Sequence, residues 1–431
     1  MYCGNCFRDN ALVAALRRAG HDAVLVPLYL PMTLDEPTTA GSVPTFFGGI
    51  NVYLDQKLSW YRHAPAWVRR WLDAPSLLRW ASGKAAKTRP DDVGELTVSM
   101  LRGAQGNQSR DLAELTDWLS RLPRPDAVLL SNALLAGFAH ELQRHLKTHV
   151  VCFLQSEESF LDSMPEPWRT RGWSEMRERA QEMDGWIAPS RFFADRMSQR
   201  LGLHSDRVEV VHNGILLEGY DRLPDRPDPG PEAELTLGFF ARLCPEKGLE
   251  TVVDAFIALR KSGTHPKLKL KLGGGCGPGD EPFVERMRQR LSEAGLTAAV
   301  TVSKNLTREE KVQFYGECDV LSVPARNDEA FGLYILESLA AGTPLVQPEC
   351  GSFPELLEAT GGGVLCGPNT STALAAALDP LLRNPSQLRA LGRRGRETVF
   401  RDFTDTVMAR QTLAALQRLL ARSPSRSPRS P

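Results

Sequence analysis

The sequence predicts a two-domain α/β protein in which each domain holds a parallel sheet with helices on both faces. Apolar strand-like runs alternate with helical patterns twice along the chain, and a Pro- and Asp-rich stretch at residues 221–234 lies between the two alternations. At 431 residues, the chain is also too long for one ordinary hydrophobic core. These observations favour two domains joined near that stretch.

The overall composition argues against several classes of protein. Lys and Arg total 52, as do Asp and Glu, so no net charge draws the chain to nucleic acid or anionic lipid. No apolar run approaches the roughly 18 residues of a membrane span, and the first residues lack the regions of a secretion signal. The eight cysteines are scattered, mostly within apolar runs, which is typical of reduced thiols. We therefore expect a cytoplasmic protein that does not bind nucleic acid.

The first half of the chain opens with a small-residue loop at 3–6, a helix over 10–19 and a strand over 23–28. Open α/β domains usually begin with a strand, and here no strand comes first. Helical patterns follow over 58–87, which is rich in Trp and Arg, and over 110–122. Alternating strands and helices are then predicted at 127–130, 134–146, 150–154, 168–182, 185–188, 192–201 and 208–211.

The second half repeats this alternation. A last helix is predicted over 410–420, and the tail RSPSRSPRSP cannot bury a core, so we expect it to be disordered. The predicted strands, with helices between them, are 235–240, 268–272, 300–302, 320–323 and 345–347.

The segment 324–343, PARNDEAFGLYILESLAAGT, follows an apolar strand and leads into a helix. Such a junction points free backbone N–H groups and the positive end of the helix dipole at an anion, and Phe331, Gly332 and Leu333 would supply those groups. Glu329 lies just before the helix and Glu337 within it. Two carboxylates suit hydroxyl groups, so we expect a sugar at one end of a diphosphate and a ribose at the other.

The segment FFARLCPEKG, residues 239–248, also follows a strand and opens a helix. Arg242 and Lys247 would stand at the carboxyl edge of the sheet, where α/β proteins bind ligands, and could neutralise a leaving diphosphate. Taken alone, each segment also has a purely structural interpretation, because Arg and Glu near helix ends serve as partners of the helix dipole.

Together the two segments resemble the retaining glycosyltransferases of family 4, which have the GT-B fold. The order R242-LCPE-K247-G248, then E329-AFGLYIL-E337, then AAGTPLV matches that family. Asn213-Gly214 resembles its Asn-Gly at the domain junction, and the opening CGNCFRDNALVAALRRAGHDAVLVPLY resembles its first loop, helix and second strand. The resemblance covers most of the chain, best from 180 to 400.

The resemblance implies two Rossmann-like domains with parallel sheets facing across a cleft. Residues 1–213 would form the acceptor-side domain, with a Trp/Arg-rich helical insertion at about 55–122. Residues 214–403 would form the donor domain. Residues 404–421 would be a helix crossing back to the first domain, and 422–431 a disordered tail.

The resemblance also implies a hexosyltransferase that needs no metal and uses a UDP- or GDP-hexose. Arg242 and Lys247 would hold the diphosphate beside the amides of residues 331–333, Glu337 would bind the ribose hydroxyls, and Glu329 would face the sugar. The acceptor would be a glycan, a lipid or a small molecule. The protein itself would make at most peripheral contact with the inner face of the membrane. By this analogy the catalytic residues are Arg242, Lys247 and Glu329, and the donor-binding residues are Glu337, Phe331, Gly332, Leu333 and Gly274.

Two absent motifs agree with this reading. There is no Asp-x-Asp, which disfavours the metal-dependent glycosyltransferase fold, and no G-x4-GK[ST], which disfavours Walker-type ATP hydrolysis. The glycines of LGGGCGPGD, residues 272–280, do not keep G-x-G-x-x-G spacing. We interpret this segment as a structural turn after a strand, with Gly274 placed to touch the donor.

Other signals are weaker. Many family members have a His that faces the donor sugar where this chain has Gln155, which can donate a hydrogen bond but carries no proton. Cys3-x2-Cys6 lacks nearby partners for a zinc site, so the loop with Asn5 has a structural or acceptor-side role, as does Asn213. The Trp/Arg-rich helices favour an inward-packed insertion over an acceptor or lipid contact.

The family begins with a strand and a Gly-Gly loop that this sequence lacks. We therefore expect Met1 to be an internal methionine, with the first strand of the N-terminal domain encoded upstream. Two rival functions stay open at this point. One is a non-catalytic sugar-nucleotide-binding protein with a crippled first domain, and the other is a GT-B-fold epimerase or phosphorylase.

Overall fold

The computed structural model describes residues 4–28, 38–39, 46–47, 90–224 and 234–422. Contacts divide them into two compact units, called here the C-terminal unit and the N-terminal unit. The C-terminal unit comprises the described residues of 212–408 together with 4–12, and the N-terminal unit comprises the rest. The boundary expected at residue 213 lies beside this division, and the assignment of the domains to donor and acceptor stays a prediction.

Helices and strands are numbered in chain order within the described residues. The helices are α1 (Gly4–Arg18), α2 (Pro90–Leu101), α3 (Ser109–Leu119), α4 (Ala139–Leu146), α5 (Glu157–Asp162), α6 (Trp168–Ala180), α7 (Arg191–Leu201), α8 (Leu249–Lys261), α9 (Glu281–Glu293), α10 (Arg308–Gly316), α11 (Leu333–Ala340), α12 (Phe353–Thr360), α13 (Ser371–Arg383), α14 (Pro385–Asp402) and α15 (Asp405–Arg422). The strands are β1 (Ala127–Leu130), β2 (His149–Phe153), β3 (Gly185–Ala188), β4 (Val208–Val210), β5 (Thr236–Phe240), β6 (Lys269–Gly274), β7 (Val300–Lys304), β8 (Val320–Leu321), β9 (Leu345–Gln347) and β10 (Gly363–Leu365).

The C-terminal unit contains a six-stranded parallel sheet in the order β10-β9-β8-β5-β6-β7. The chain builds it outwards from β5 to β7, then returns to place β8 on the other side of β5. Register pairs Leu237 with both Leu270 and Val320, and all three side chains are buried. This order is that of doubly wound dinucleotide-binding folds, in which ligands bind at the carboxyl ends of the strands where the order reverses. Here the reversal lies between β5 and β8.

The N-terminal unit contains a four-stranded parallel sheet in the order β1-β2-β3-β4. Its apolar strands are buried, and Trp186 in β3 is among the largest fully buried side chains. From Ala409 onward, α15 groups with this unit, where Glu209 accepts hydrogen bonds from Arg418 at 2.8 Å and Arg422 at 3.1 Å. The two parallel sheets confirm the α/β fold class, and the bounds predicted for β1 and β3 match those observed.

The start of the chain differs from the sequence prediction. Helix α1 begins at Gly4, so Gly4, Asn5 and Cys6 form its first turn rather than a loop. Gly and Asn are favoured at helix N-termini, and no helix breaker separates them from the apolar-periodic part. The run 23–28 forms no strand. Alternation or apolarity alone does not make a strand, because a strand also requires a hydrogen-bonded neighbour.

Other differences are smaller. The helix predicted over 134–146 begins as a 3-10 segment, Ala133–Phe138, before α4. The elements that were not predicted include α2, α5, β10 and the three helices α12, α13 and α14. The helical segment at 58–87, most of the 221–234 stretch and the tail after residue 422 lie outside the described residues. Within the described part of the chain, no helix is both long and apolar enough to cross a bilayer.

Candidate functional site

The loops at the reversal of the C-terminal sheet touch one another through their backbones. Gly274 ends β6 with φ +133°, and a Cβ added there would lie 1.7 Å from the carbonyl oxygen of Ala241. Gly248 precedes α8 with φ +76°, and its Cβ would lie 1.9 Å from the carbonyl oxygen of Pro324. Only glycine fits both the dihedral angle and the space. The loops after β5, β6 and β8 therefore form one closely packed edge.

Arg242 lies in the loop after β5 and pairs with Asp280, just before α9. Its Nε donates to Oδ2 at 3.0 Å and its Nη2 to Oδ1 at 2.9 Å. Burial works to raise the pKa of Asp280, but the bonds from Arg242 and from the Gly277 amide outweigh it, so this pKa is lowered. The hydrogen bonds that Arg242 donates to Asp280 raise the pKa of Arg242 against the effect of burial. Arg242 stays 53 % exposed, so its charge can also face a ligand.

Lys247, at the end of a 3-10 turn before α8, forms an ion pair with Glu329 in the loop after β8. The backbone of Glu329 is fixed in turn, since its carbonyl oxygen accepts from the Ser352 amide at 2.9 Å. Gly351 packs against the same backbone, and a Cβ there would lie 2.5 Å from the Glu329 nitrogen. The ion pair between Lys247 and Glu329 therefore joins segments 239–248 and 324–343, which carry the predicted chemistry.

Phe331, Gly332 and Leu333 lie at the start of α11, as predicted. Gly332 is the N-cap with φ +87° and ψ 80°, and Phe331 is buried beneath it. The Phe331 carbonyl accepts from Ser352 Oγ at 3.0 Å, which holds the turn in place. The first N–H groups of a helix have no partners within it, so this turn presents backbone donors at the carboxyl edge of the sheet.

Glu337 lies one turn further along α11 and is held at both oxygens. Lys311 Nζ donates to Oε1 at 2.9 Å and Tyr315 OH donates to Oε2 at 2.9 Å. Burial, followed by the charge of Glu337, raises the pKa of Tyr315 well above its ordinary value, so the phenol remains a donor. Glu329 and Glu337 thus flank the start of α11, as the sequence predicted.

The remaining predicted residues belong to other segments of the chain. Gln155 follows β2 in the N-terminal unit, where its backbone amide donates to Glu157 Oε2 at 2.7 Å, and its buried side-chain Nε2 has no hydrogen-bond partner among the described residues. Asn213 is buried in the C-terminal unit, next to Gly214, which packs against the backbone of Thr404. Asn5 lies in the first turn of α1 rather than in a loop. Roles for these three residues stay predictions.

Sequence reasoning missed the side chains that hold the predicted ones. Asp280 is 38 residues from Arg242, and no spacing rule connects them. Lys311 and Tyr315 are four residues apart, which places both on one face of α10, and this was a usable signal. The spacing did not indicate that this face of α10 contacts α11.

A buried carboxyl group in the N-terminal unit was also missed. Glu158 in α5 is 3 % exposed, and none of the described residues forms a hydrogen bond with its Oε2. Burial, together with the charge of Glu157, raises its pKa to about 7, while backbone hydrogen bonds and Arg196 oppose the shift. Among the described residues, no group of three His, Cys, Asp or Glu side chains is arranged to hold a metal ion.

Comparison with known proteins identifies two family segments. A model described as "Glycosyl transferases group 1" matches residues 222–398, and one described as "Glycosyltransferase Family 4" matches residues 83–218. The first match contains β5 to β10 and the loops described above. The second contains the whole N-terminal sheet.

Individual relatives agree with the family models. The chain is 29% identical over 291 residues to a D-inositol 3-phosphate glycosyltransferase of Stackebrandtia nassauensis, covering 65% of each chain. It is 28% identical over 209 residues to a GDP-mannose-dependent alpha-(1-6)-phosphatidylinositol monomannoside mannosyltransferase of Mycobacterium tuberculosis, covering 44% of this chain and 52% of the relative. The chain thus matches about half to two thirds of the length of these curated relatives.

A solved structure shows the same fold. The crystal structure of Anabaena Alr3699/HepE in complex with UDP and glucose has a TM-score of 0.57 and 19% sequence identity. It covers 72% of this chain and 81% of its own. This match and the two parallel sheets show the fold, and the two family models show the family. The chain belongs to glycosyltransferase family 4 and has the GT-B fold.

Proposed function

We propose that this protein is a retaining glycosyltransferase that moves a hexose from a nucleotide-diphosphate sugar to a hydroxyl group of an acceptor. The observation that carries the proposal is the Lys247–Glu329 ion pair. It brings the cation-bearing loop after β5 against the loop after β8, beside the backbone donors of α11. A cation, a carboxylate and free amides at one sheet edge suit a phosphate joined to a sugar.

Each group has a distinct role in this proposal. Arg242 and Lys247 neutralise the diphosphate as charge develops on it, which accelerates departure of the leaving group. The amides of residues 331–333 bind the same phosphates. Glu329 faces the sugar and Glu337 accepts hydrogen bonds from the ribose. Because Arg242 and Lys247 supply positive charge, the proposed reaction requires no metal ion.

The proposed transfer needs no protein nucleophile. The bond between the sugar anomeric carbon and the diphosphate oxygen breaks, and its electron pair leaves with the nucleotide diphosphate. The acceptor oxygen forms the new bond on the same face of the sugar, and its proton passes to the departing phosphate oxygen. The configuration at the anomeric carbon is therefore retained.

The proposed donor is a UDP- or GDP-hexose. A relative whose name includes GDP-mannose dependence and a fold neighbour crystallised with UDP and glucose support this range. The acceptor would be a glycan, a lipid-linked sugar or a small hydroxyl compound, reached from the cytoplasmic side.

The test is incubation of the full chain with radiolabelled UDP-glucose, UDP-galactose and GDP-mannose. Without an acceptor, we expect slow hydrolysis of the donor at a rate that EDTA does not change. Proton NMR should show that the sugar is first released as the α anomer. Release of the β anomer would contradict retention. An isomerised donor would indicate an epimerase, and binding without turnover a non-catalytic protein.

A further inference from the structure

The carboxylate of Glu337 is held by two side chains that come from a different helix. Lys311 and Tyr315 both belong to α10, and each donates to one oxygen of Glu337 at 2.9 Å. Both donors are buried, with Lys311 8 % and Tyr315 0 % exposed. Glu337 keeps 18 % of its side chain exposed, so the carboxylate is more accessible than either of its partners.

Helix α10 is itself fixed at both ends. At its start, Thr307 and Glu310 form a reciprocal capping box, with the Thr307 amide donating to Glu310 at 2.8 Å. At its end, the Tyr315 carbonyl accepts from Thr343 Oγ1 at 2.7 Å, just after α11. The Tyr315 ring also packs against Phe240, with ring centroids 4.9 Å apart. The two donors are therefore held in place before any ligand arrives.

Among the residues that the structure describes, this arrangement leaves one hydrogen-bonding position on each oxygen of Glu337. An ionised carboxylate accepts about four hydrogen bonds, two for each oxygen. One position on each oxygen is taken by α10, and the pair of remaining positions matches two neighbouring hydroxyl groups. Lys311 also places a positive charge beside Glu337, whose carboxylate group supplies only acceptors to a ligand.

We propose that Lys311 and Tyr315 are positioning residues that hold Glu337 for the vicinal hydroxyls of a ribose, so that the site selects ribonucleotides over deoxyribonucleotides. This inference rests on the proposed function, because Glu337 contacts the nucleotide only if the donor site is where we place it. It adds Lys311 and Tyr315 of α10, whose role is to orient Glu337.

The test compares nucleotide binding by isothermal titration calorimetry. UDP and GDP are titrated against their 2′,3′-dideoxy forms in the wild type, Tyr315→Phe and Lys311→Met. We expect the wild type to prefer the ribo form by roughly tenfold or more, the scale of losing paired hydrogen bonds to a charged group. Each variant should lose most of that preference by weakening ribo binding, with dideoxy binding unchanged.

The matched control is Lys271→Met. Lys271 pairs with Glu317 and lies 5.0 Å from the centre of the Phe314 ring, so it contacts the neighbourhood of α10 without reaching Glu337. The Lys271→Met variant should keep the wild-type preference for the ribo form over the dideoxy form. Because the ratio is measured within one protein, partial loss of folded protein lowers both affinities alike and leaves the ratio intact.

The outcomes separate the two proposals. A wild type that binds neither nucleotide overturns the proposed function, and this inference with it. A wild type that prefers the ribo form, with the same preference in both variants, overturns the inference alone. If Lys311→Met does not fold, Tyr315→Phe decides the question, since it removes a single oxygen and keeps the ring.

Discussion

Arg242 and Asp280 are joined by two parallel hydrogen bonds, at 3.0 and 2.9 Å. Asp280 also accepts from the Gly277 amide at 3.0 Å, so the anion that orients Arg242 is itself held by the loop after β6. The guanidinium group is therefore aimed before a ligand binds. Such preorganisation is what a cation needs to stabilise charge that develops on a leaving group.

Arg242→Lys should lower kcat/KM for donor hydrolysis by roughly 10²–10³, because lysine keeps the charge but loses the paired geometry. Arg290→Lys is the matched control, since Arg290 also makes two bonds, at 2.6 Å each, to Glu250 and Asp254. Steady-state kinetics on both variants is the measurement. Equal losses in the two variants would mean that Arg242 acts only through stability.

Glu329→Gln should slow hydrolysis by about tenfold or more without weakening the binding of UDP alone. In the proposed complex Glu329 faces the sugar, which UDP lacks, and the change leaves the charge of its partner Lys247 available to the diphosphate. Calorimetry with UDP and kinetics with the intact donor measure the two effects separately. Glu285→Gln, at a side chain that is 75 % exposed, serves as control. A large loss of UDP affinity would contradict the assignment.

Gly274→Ala should lower the free energy of unfolding by at least about 2 kcal/mol, because the new methyl group meets the Ala241 carbonyl and φ is unfavourable for alanine. Gly279→Ala is the control, since a Cβ there meets nothing within 4 Å. Urea denaturation of both variants gives the comparison. A Gly274 variant as stable as its control would show that the loop can relax.

Glu158→Gln should change how stability depends on pH. The folded pKa of about 7 lies above the ordinary value of 4.5, so the folded state holds a proton that the unfolded state has released between these values. Wild-type stability should thus fall as pH rises from about 4.5 to 7, by up to about 3 kcal/mol, and level off above.

The Glu158→Gln variant lacks that titration. Its stability relative to the wild type should therefore increase as pH rises across this range. Urea midpoints at pH 5, 6, 7 and 8 measure the difference. Glu178→Gln, at a side chain that is 67 % exposed, should follow the wild type. Parallel curves for Glu158→Gln and the wild type would contradict a raised pKa.

The parts of the fold that the sequence predicted well are those where one local pattern decides the element. Strand β3 is a short apolar run between polar turns, and its bounds of 185–188 were predicted without error. Gly332 at the start of α11 was predicted because strand, glycine and helical periodicity follow in order. The prediction of a strand over 23–28 was wrong because the sequence of the run does not encode whether a neighbouring strand pairs with it.

The candidate site shows the same division. Arg242, Lys247, Glu329 and Glu337 were proposed as site residues because they follow predicted strands at the spacings of the family motif. Their partners were not found, since Asp280 and Tyr315 reach them only through the sheet order. Long-range pairing of this kind depends on topology, which residue spacing alone does not specify.

The backbone contacts at Gly248 and Gly274 also set a limit on redesign. Loops that meet through carbonyl oxygens at these distances cannot be lengthened or exchanged one at a time without separating their neighbours. An engineer who wishes to change the sugar accepted by this enzyme class should therefore leave loop lengths alone. Substitutions of single side chains in these loops, such as Cys276 after β6 and Arg326 after β8, leave the loop lengths unchanged.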